Sequence, residues 1–360
     1  MKLEADRSTS LTQQIAYAEG LLEGRKLPEA IAAFDVAEQM GADADGCGAA
    51  RWMAAMLRGD FAAAWRESDA IRTRGGVDPH RFWGGEEVRG RRVMVRCLHG
   101  FGDAIQFLRY MPRLVVLAER VIVEVPSRMV ALAPMLDGVA DVITWGEGAP
   151  AEAPRWDVQV EVMELPYLFR TLPEELPLAV EYLCPGMVEV TEAARVMGVR
   201  QGLRVGLVWA SGEWNPERSM PVECMERLVR GGEGIEFWSL QGGTARAEAA
   251  GLVAGGVMRD AAECGDGLLA LAAVIANLDL VVTVDTLAAH MTGAMGSQVW
   301  LLLQKTADWR WMEGRCDSPW YPSMRIFRQT IEGDWDGLVE AVRIELVRFA
   351  EQGPLSEVAR

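Results

Sequence analysis

The chain of 360 residues is short of positive charge, of histidine, of paired cysteine and of long apolar runs. Thirty-six Lys and Arg stand against 52 Asp and Glu, a formal net charge of −16. Nucleic acid and anionic membranes are gripped through a basic footprint, so this balance argues against both. An anionic small molecule stays open, because a few convergent arginines and a helix N-terminus can hold it locally. Six cysteines (Cys47, Cys97, Cys184, Cys224, Cys264, Cys316) are scattered with no Cys-x-x-Cys spacing, which is neither a disulfide framework nor a zinc site. The opening MKLEADRSTSLTQQ is polar and lacks a signal peptide's apolar stretch. No apolar run reaches membrane-spanning length, and the expectation is a soluble cytoplasmic protein with no transmembrane segment.

The chain is too long for one core and predicts two or three domains. Residues 1–78 are helical in pattern and repeat. GLLEGRKLPEAIAAFDVAEQMG and AAMLRGDFAAAWRESDAIRTRG align at a shift of 34 residues, the tetratricopeptide period. Ala18, Ala30, Phe34 and Ala37 follow that repeat's small-small-aromatic-small pattern; Ala64 repeats the central small residue, and Trp52 stands where the first repeat has Ala18. Two repeats cannot bury their own faces, so they should dock on the α/β part of the chain, with DPHRFWGG (78–85) as the join. Oligomerisation through these helices is a further possibility.

From Val88 strands alternate with helices, the pattern of parallel α/β units. RRVMVRCL, RVIVEV, DVITW and WDVQVEV read as strands, AIQFLRYMPRLVVLA as one amphipathic helix and MVALAPML as helical. The proline-punctuated 165–185 reads as a connector. A second alternating set comes after it, with LRVGLVWA, IEFWSLQ, DLVVTVD and QVWLLLQ as strands. The expected order is an α/β unit over 79–185, a second over 186–330, and a final helix within 331–360. That helix carries Leu338, Val342, Leu346 and Phe349 on one face and should pack back across the domains. Two Rossmann-like halves with a cleft between them is the economical arrangement, and ligands of such sheets bind beyond the carboxyl ends of the strands.

Four strand-end loops carry candidate chemistry. In VDTLAAHMTG, Asp285 or Thr286 would cap a helix whose free N–H groups and dipole suit a diphosphate. His290 lies four residues past Thr286 on the same face, and Gly293 three further on; the plainer reading is a routine cap and a structural histidine. In HGFGDAIQF, Gly102 allows close backbone approach and Asp103 falls in the first helical turn; an ordinary N-terminal acid is the commoner case. The third glycine of a dinucleotide fingerprint is Ile105, which weakens an oxidoreductase reading. In VWASGEWNPERSMPV, Ser211 and Arg218 stand in a loop where a planar guanidinium fork can meet phosphate, against a solvated loop as the bland alternative. Gln241-Gly242-Gly243 ends a further strand, either against a base or ribose or as a plain turn.

In this order, FWGGEEVRGRRVMVRCLHGFGDAIQFLRYMPRL, MELPYLFRTLPEELPLAVEYL, VGLVWASGEWNPERSMP, SLQGG, DLVVTVDTLAAHMTGAMGSQVWLLL and DWRWMEGRCDSPWYPSMRIFRQ resemble bacterial tetratricopeptide-repeat-linked glycosyltransferases. These are related to the heptosyltransferases of lipopolysaccharide synthesis and more distantly to O-GlcNAc transferase. The resemblance implies a GT-B architecture, two Rossmann-like domains behind a short all-α repeat domain. It also implies metal-independent, inverting transfer from a nucleotide-diphosphate sugar, with no separate cofactor, to a hydroxyl of a protein or envelope glycan. Asp103 takes the role of general base. Arg218, Thr286 and the helix bearing His290 stabilise the leaving diphosphate, with Gly102, Ser211, Asp285 and Gly293 around the donor and Gln241 near the nucleoside. Many relatives have Glu-Gln before the glycine loop, where this chain has Leu98-His99. The rival expectation is a non-catalytic interaction module with a degenerate nucleotide pocket; retention of Asp103, Arg218, Thr286 and His290 favours activity.

Overall fold

A computed structural model describes residues 2–75, 83–146, 154–176, 181–212, 215–230, 232 and 234–352. Most of the expected join at 78–85, part of the connector at 165–185 and two residues of the 211–219 loop lie outside the described residues. The chain divides into two units, one made of residues 1–85, 166–176 and 306–315, the other of 86–165, 177–305 and 316–360.

Helices α1 (Lys2–Glu23), α2 (Leu27–Gln39), α3 (Ala44–Leu57) and α4 (Phe61–Arg74) form the first unit, each packed on the next. Asp43 and Asp60 cap α3 and α4, accepting from the Gly46 and Ala63 N–H groups. Small residues let the helices approach closely. Ala18, Ala33, Phe34, Ala37 and Cys47 form one buried cluster, and Ala30 and Ala64, 34 residues apart, are both fully buried. Arg51 ties the helices with ion pairs to Glu67 (2.8 Å) and Glu38 (2.7 Å).

The remaining faces of these helices are covered by two segments from later in the sequence. One begins with the short helix α7 (Leu165–Leu168) and supplies Thr171, whose carbonyl accepts from the Trp65 indole at 2.8 Å. In the other, Glu313 N–H donates to the Leu57 carbonyl at 2.7 Å, and Trp309 meets Trp52 edge-on at 5.5 Å. Trp52, which departs from the small residue of the first repeat, thus packs against this added segment.

The second unit holds two parallel sheets. β1 (Arg92–Arg96), β2 (Arg120–Pro126), β3 (Asp141–Trp145) and β4 (Val158–Glu161) lie in the order β3-β2-β1-β4. After β1 come α5 (Phe101–Leu108) and α6 (Met111–Leu117). The sequence predicts a single helix here. Pro112 has no N–H to donate and disfavours helical backbone before it, so the chain breaks at Arg109-Tyr110 and restarts. The stretch 127–135 is similarly wound as 3₁₀ turns, with Pro134 inside.

The second sheet follows α8 (Met187–Met197). Its strands are β5 (Leu203–Val208), β6 (Ile235–Ser239), β7 (Arg259–Asp260), β8 (Leu280–Val284), β9 (Val299–Leu303) and β10 (Met324–Arg328), in the order β10-β9-β8-β5-β6-β7. Helices α9 (Val222–Arg230), α10 (Ala250–Ala254), α11 (Gly267–Ile275) and α12 (Leu287–Ala294) connect them. Every residue of β8 and β9 is buried, as a parallel sheet covered on both faces requires. The final helix α13 (Trp335–Gln352) places Leu338, Val342 and Leu346 in the core beside α9, with the Phe349 ring on Trp300. No described helix is long and apolar enough to cross a membrane.

Candidate active site

Each sheet has one point where the chain reverses its direction of winding. In the first it lies at β1, which pairs with β2 on one side and β4 on the other; in the second it lies between β5 and β8. Loops leaving such strands splay apart and open a crevice at their carboxyl ends. Asp103 follows β1, Ser211 and Arg218 follow β5, and Asp285 and Thr286 follow β8.

Thr286 is the N-cap of α12, in extended backbone (φ −143°, ψ 175°), and its side chain makes no capping bond. Its hydroxyl sits 3.0 Å from that of Thr283 instead. Asp285 lies between two basic groups. One carboxylate oxygen is 3.9 Å from His290 Nε2 and the other 3.7 Å from Arg218 Nη1. Asp285 and His290 are almost fully buried, and Arg218 is partly exposed. At that burial a carboxylate needs partners, and it holds the guanidinium and the imidazole near the helix end. On its other side the His290 ring meets the Tyr321 hydroxyl, 2.9 Å from Nδ1.

α5 packs directly on α12. A Cβ built on Gly102 would lie 2.7 Å from His290 Cδ2, so only glycine lets the first turn of α5 rest on the imidazole. Asp103 is the next residue, at the third position of α5, where its carboxylate accepts from the Gly100 N–H at 3.0 Å. The structure therefore brings Asp103, Gly102, Arg218, Asp285, Thr286 and His290 to one region, where the two switch points meet.

The remaining candidates have local partners. Gln241 Oε1 accepts from the Trp209 and Ala210 N–H groups at 3.0 and 2.9 Å, and its amide donates to the Ala210 and Gly242 carbonyls. It thus ties the loop after β5 to the loop after β6. Ser211 closes its own loop through the Asn215 carbonyl and the Ser219 hydroxyl. Gly293 makes room for an aromatic ring: a Cβ there would fall 2.5 Å from Tyr321.

One residue that sequence reasoning passed over also reaches the site. Tyr321 belongs to the tryptophan- and arginine-rich stretch read as packing, and no spacing rule links it to His290. Glu161, the last residue of β4, accepts from the Met163 N–H at 2.6 Å and lies 4.0 Å from His99 Nε2. Burial pushes its carboxyl above the ordinary range, opposed by the Met163 N–H and by His99. Beside the carboxyl end of β6, an open hollow of about 740 Å³ is bordered by Ser239, Gly243, Thr244, Arg246, Val253 and Asp260. Its rim carries an Arg246–Asp260 ion pair at 2.7 Å. Among the described residues no three His, Cys, Asp or Glu side chains converge as a metal site needs.

Solved glycosyltransferase structures share this architecture. A glycosyltransferase family 9 structure from Veillonella parvula matches 75% of this chain and 99% of its own, with a TM-score of 0.58 and 12% identity. The Escherichia coli ADP-heptose LPS heptosyltransferase II matches 73% of this chain and 100% of its own, with a TM-score of 0.54 and 12% identity. The chain shares the fold of these two proteins. In sequence, it is 26% identical over 293 residues to Protein FlbA of Caulobacter vibrioides, covering 74% of this chain and 48% of that protein. It thus spans about half the length of that relative. No family model matches.

Proposed function

We propose that this protein is a metal-independent, inverting glycosyltransferase that moves a sugar from a nucleotide-diphosphate donor to an acceptor hydroxyl. The observation that carries this reading is the Arg218–Asp285–His290 arrangement at the N-terminus of α12, with the Asp103 turn packed against it. Arg218 and the free N–H groups of α12 supply positive potential for a diphosphate. Asp285 would repel that anion in direct contact, so its part is to orient the guanidinium and the imidazole. The hollow beside β6 is of a size to take a nucleoside. In that arrangement Gln241 shapes the floor of the donor site by pinning the 209–210 backbone. Asp103, on the first-sheet side, deprotonates the acceptor hydroxyl as it attacks the anomeric carbon. The leaving diphosphate stays on α12, where Thr286 and His290 meet the charge that develops.

Two variants test the division of roles. Asp103→Ala should lower kcat by about 10²- to 10⁴-fold, the usual contribution of a general base. Its affinity for the nucleoside diphosphate, measured by calorimetry, should stay near that of the unaltered protein. Arg218→Ala should weaken that affinity by about tenfold or more, the worth of a charge-assisted hydrogen bond. Unchanged turnover in the first variant, or equal affinity in the second, refutes the role assigned.

A further inference from the structure

The loop 97–100, which joins β1 to the helix carrying Asp103, is held from both flanks of the first sheet. Cys97 N–H donates to the Glu124 carbonyl in β2 at 2.8 Å. The Cys97 carbonyl accepts from the Trp145 indole at 3.1 Å. Trp145 is the last residue of β3, two strands from β1, so its side chain reaches past the end of β2. On the other flank, Glu161 ends β4 and accepts from the Met163 N–H at 2.6 Å. The Leu98 N–H adds a further bond to the same carboxylate. The turn Val162–Glu164 that follows packs on α5. Amide and indole N–H groups only donate, so each of these bonds has a single direction.

The loop ends at Gly100, the N-cap of α5. In a full capping box the N-cap side chain and the third helical residue bond each other's backbone. Glycine has no side chain to return, so the 3.0 Å bond from Gly100 N–H to Asp103 runs one way only. The aim of the Asp103 carboxylate thus follows the Gly100 amide, and that amide follows the loop. We propose that Trp145 and Glu161 are positioning residues, which fix the 97–100 loop from β3 and β4 and thereby set the place of the Asp103 carboxylate. The inference rests on the general-base reading of Asp103. A base has to lie within hydrogen-bond reach of the hydroxyl it deprotonates, and a misplacement of about 1 Å costs about 100-fold in rate. Trp145 is 38% exposed, so its ring is only partly spent on packing, while its N–H meets the loop.

Three variants of the full chain separate this role from plain structural support. Trp145→Phe keeps a ring and loses the N–H. Glu161→Ala loses the acceptor for the loop and turn amides, whereas Glu161→Gln keeps an acceptor oxygen. Hydrogen exchange read by mass spectrometry should quicken about fivefold over 97–103 in Trp145→Phe and Glu161→Ala, the worth of one hydrogen bond. Glu161→Gln should exchange there as the unaltered protein does, and α12 should be unchanged in all three. A purely structural part for Trp145 would instead open β2 and β3 and leave 97–103 as it was. Turnover of a nucleotide sugar by Trp145→Phe should fall about 10- to 100-fold, with the affinity for uridine, guanosine or adenosine diphosphate unaltered. The same substitution added to Asp103→Ala should cost nothing more, because both act through one group. Loop exchange alike in all four proteins, or unchanged turnover in Trp145→Phe, overturns the proposal. If Asp103→Ala itself keeps full turnover, the general-base reading fails, while exchange over 97–103 still decides whether Trp145 and Glu161 hold the loop.

Discussion

Asp285 shows how much a single side chain can organise when it is nearly buried. It joins a guanidinium from the loop after β5 to an imidazole on α12, and neither partner is adjacent in sequence. Its place was legible, because an apolar strand ending in Asp-Thr, with histidine one helical turn later, can be read from spacing alone. Tyr321 was not legible: its bond to His290 spans 31 residues and depends on how the chain after β9 folds back. Gly293 stood out as a candidate for donor contact, and its neighbour proves to be the Tyr321 ring. That contact makes a direct prediction. Gly293→Ala gains about 1 kcal/mol of helix propensity. The new methyl, however, would meet a fully buried ring at 2.5 Å, and such overpacking costs about 1–3 kcal/mol. The net effect expected in denaturant unfolding is a lower midpoint. A midpoint that rises would show that the ring moves aside freely.

Among the elements, the segment 166–176 is where sequence reading and structure diverge most. Its prolines suggested a connector, whereas residues 166–176 group with the helices. Asp69 of α4 accepts from the Tyr167 hydroxyl at 2.7 Å and from Arg170 at 2.7 and 2.9 Å. The Arg170 bond, with help from Tyr167, holds the Asp69 carboxyl below its ordinary range. A depressed carboxylate contributes stability above its unfolded pKa, about 3.9, and loses it as pH falls through the lower folded value. Asp69→Asn should therefore melt earlier than the unaltered protein at pH 7, and the gap should close as pH drops toward 3. A gap that is constant with pH would assign the loss to packing and not to the ion pair. The break between α5 and α6 belongs to this scale too. Pro112 was visible in the sequence, but the amphipathic period ran across it and masked the stop.

At the scale of the whole molecule, the proposed function requires that a ligand bind the folded chain and not the unfolded one. Such a ligand stabilises by about 2.7 kcal/mol at a hundredfold excess over Kd. Of uridine, guanosine and adenosine diphosphates, one should raise the melting temperature clearly more than the others, and Arg218→Ala should reduce that rise. No shift with any of them would remove the donor site. The alternation of strands and helices was readable as two α/β sets because fully buried parallel strands leave unbroken apolar runs, as in LVVTV and VWLLL. The strands β7 and β10 escaped notice; one is two residues long and the other alternates charge with apolar residues.

Local patterns thus determined the class of the fold, the strand-end position of Asp103, Arg218, Asp285, Thr286 and His290, and the 34-residue spacing of the helical repeats. These are properties of short windows, set by periodicity, capping and backbone conformation. Only the tertiary structure decided that Gly102 touches His290, that Tyr321 meets the imidazole, that Gln241 serves the backbone and that residues 166–176 and 306–315 complete the helical unit. Those contacts join residues far apart in the chain, and they are settled by which buried polar atoms find partners when the whole core closes.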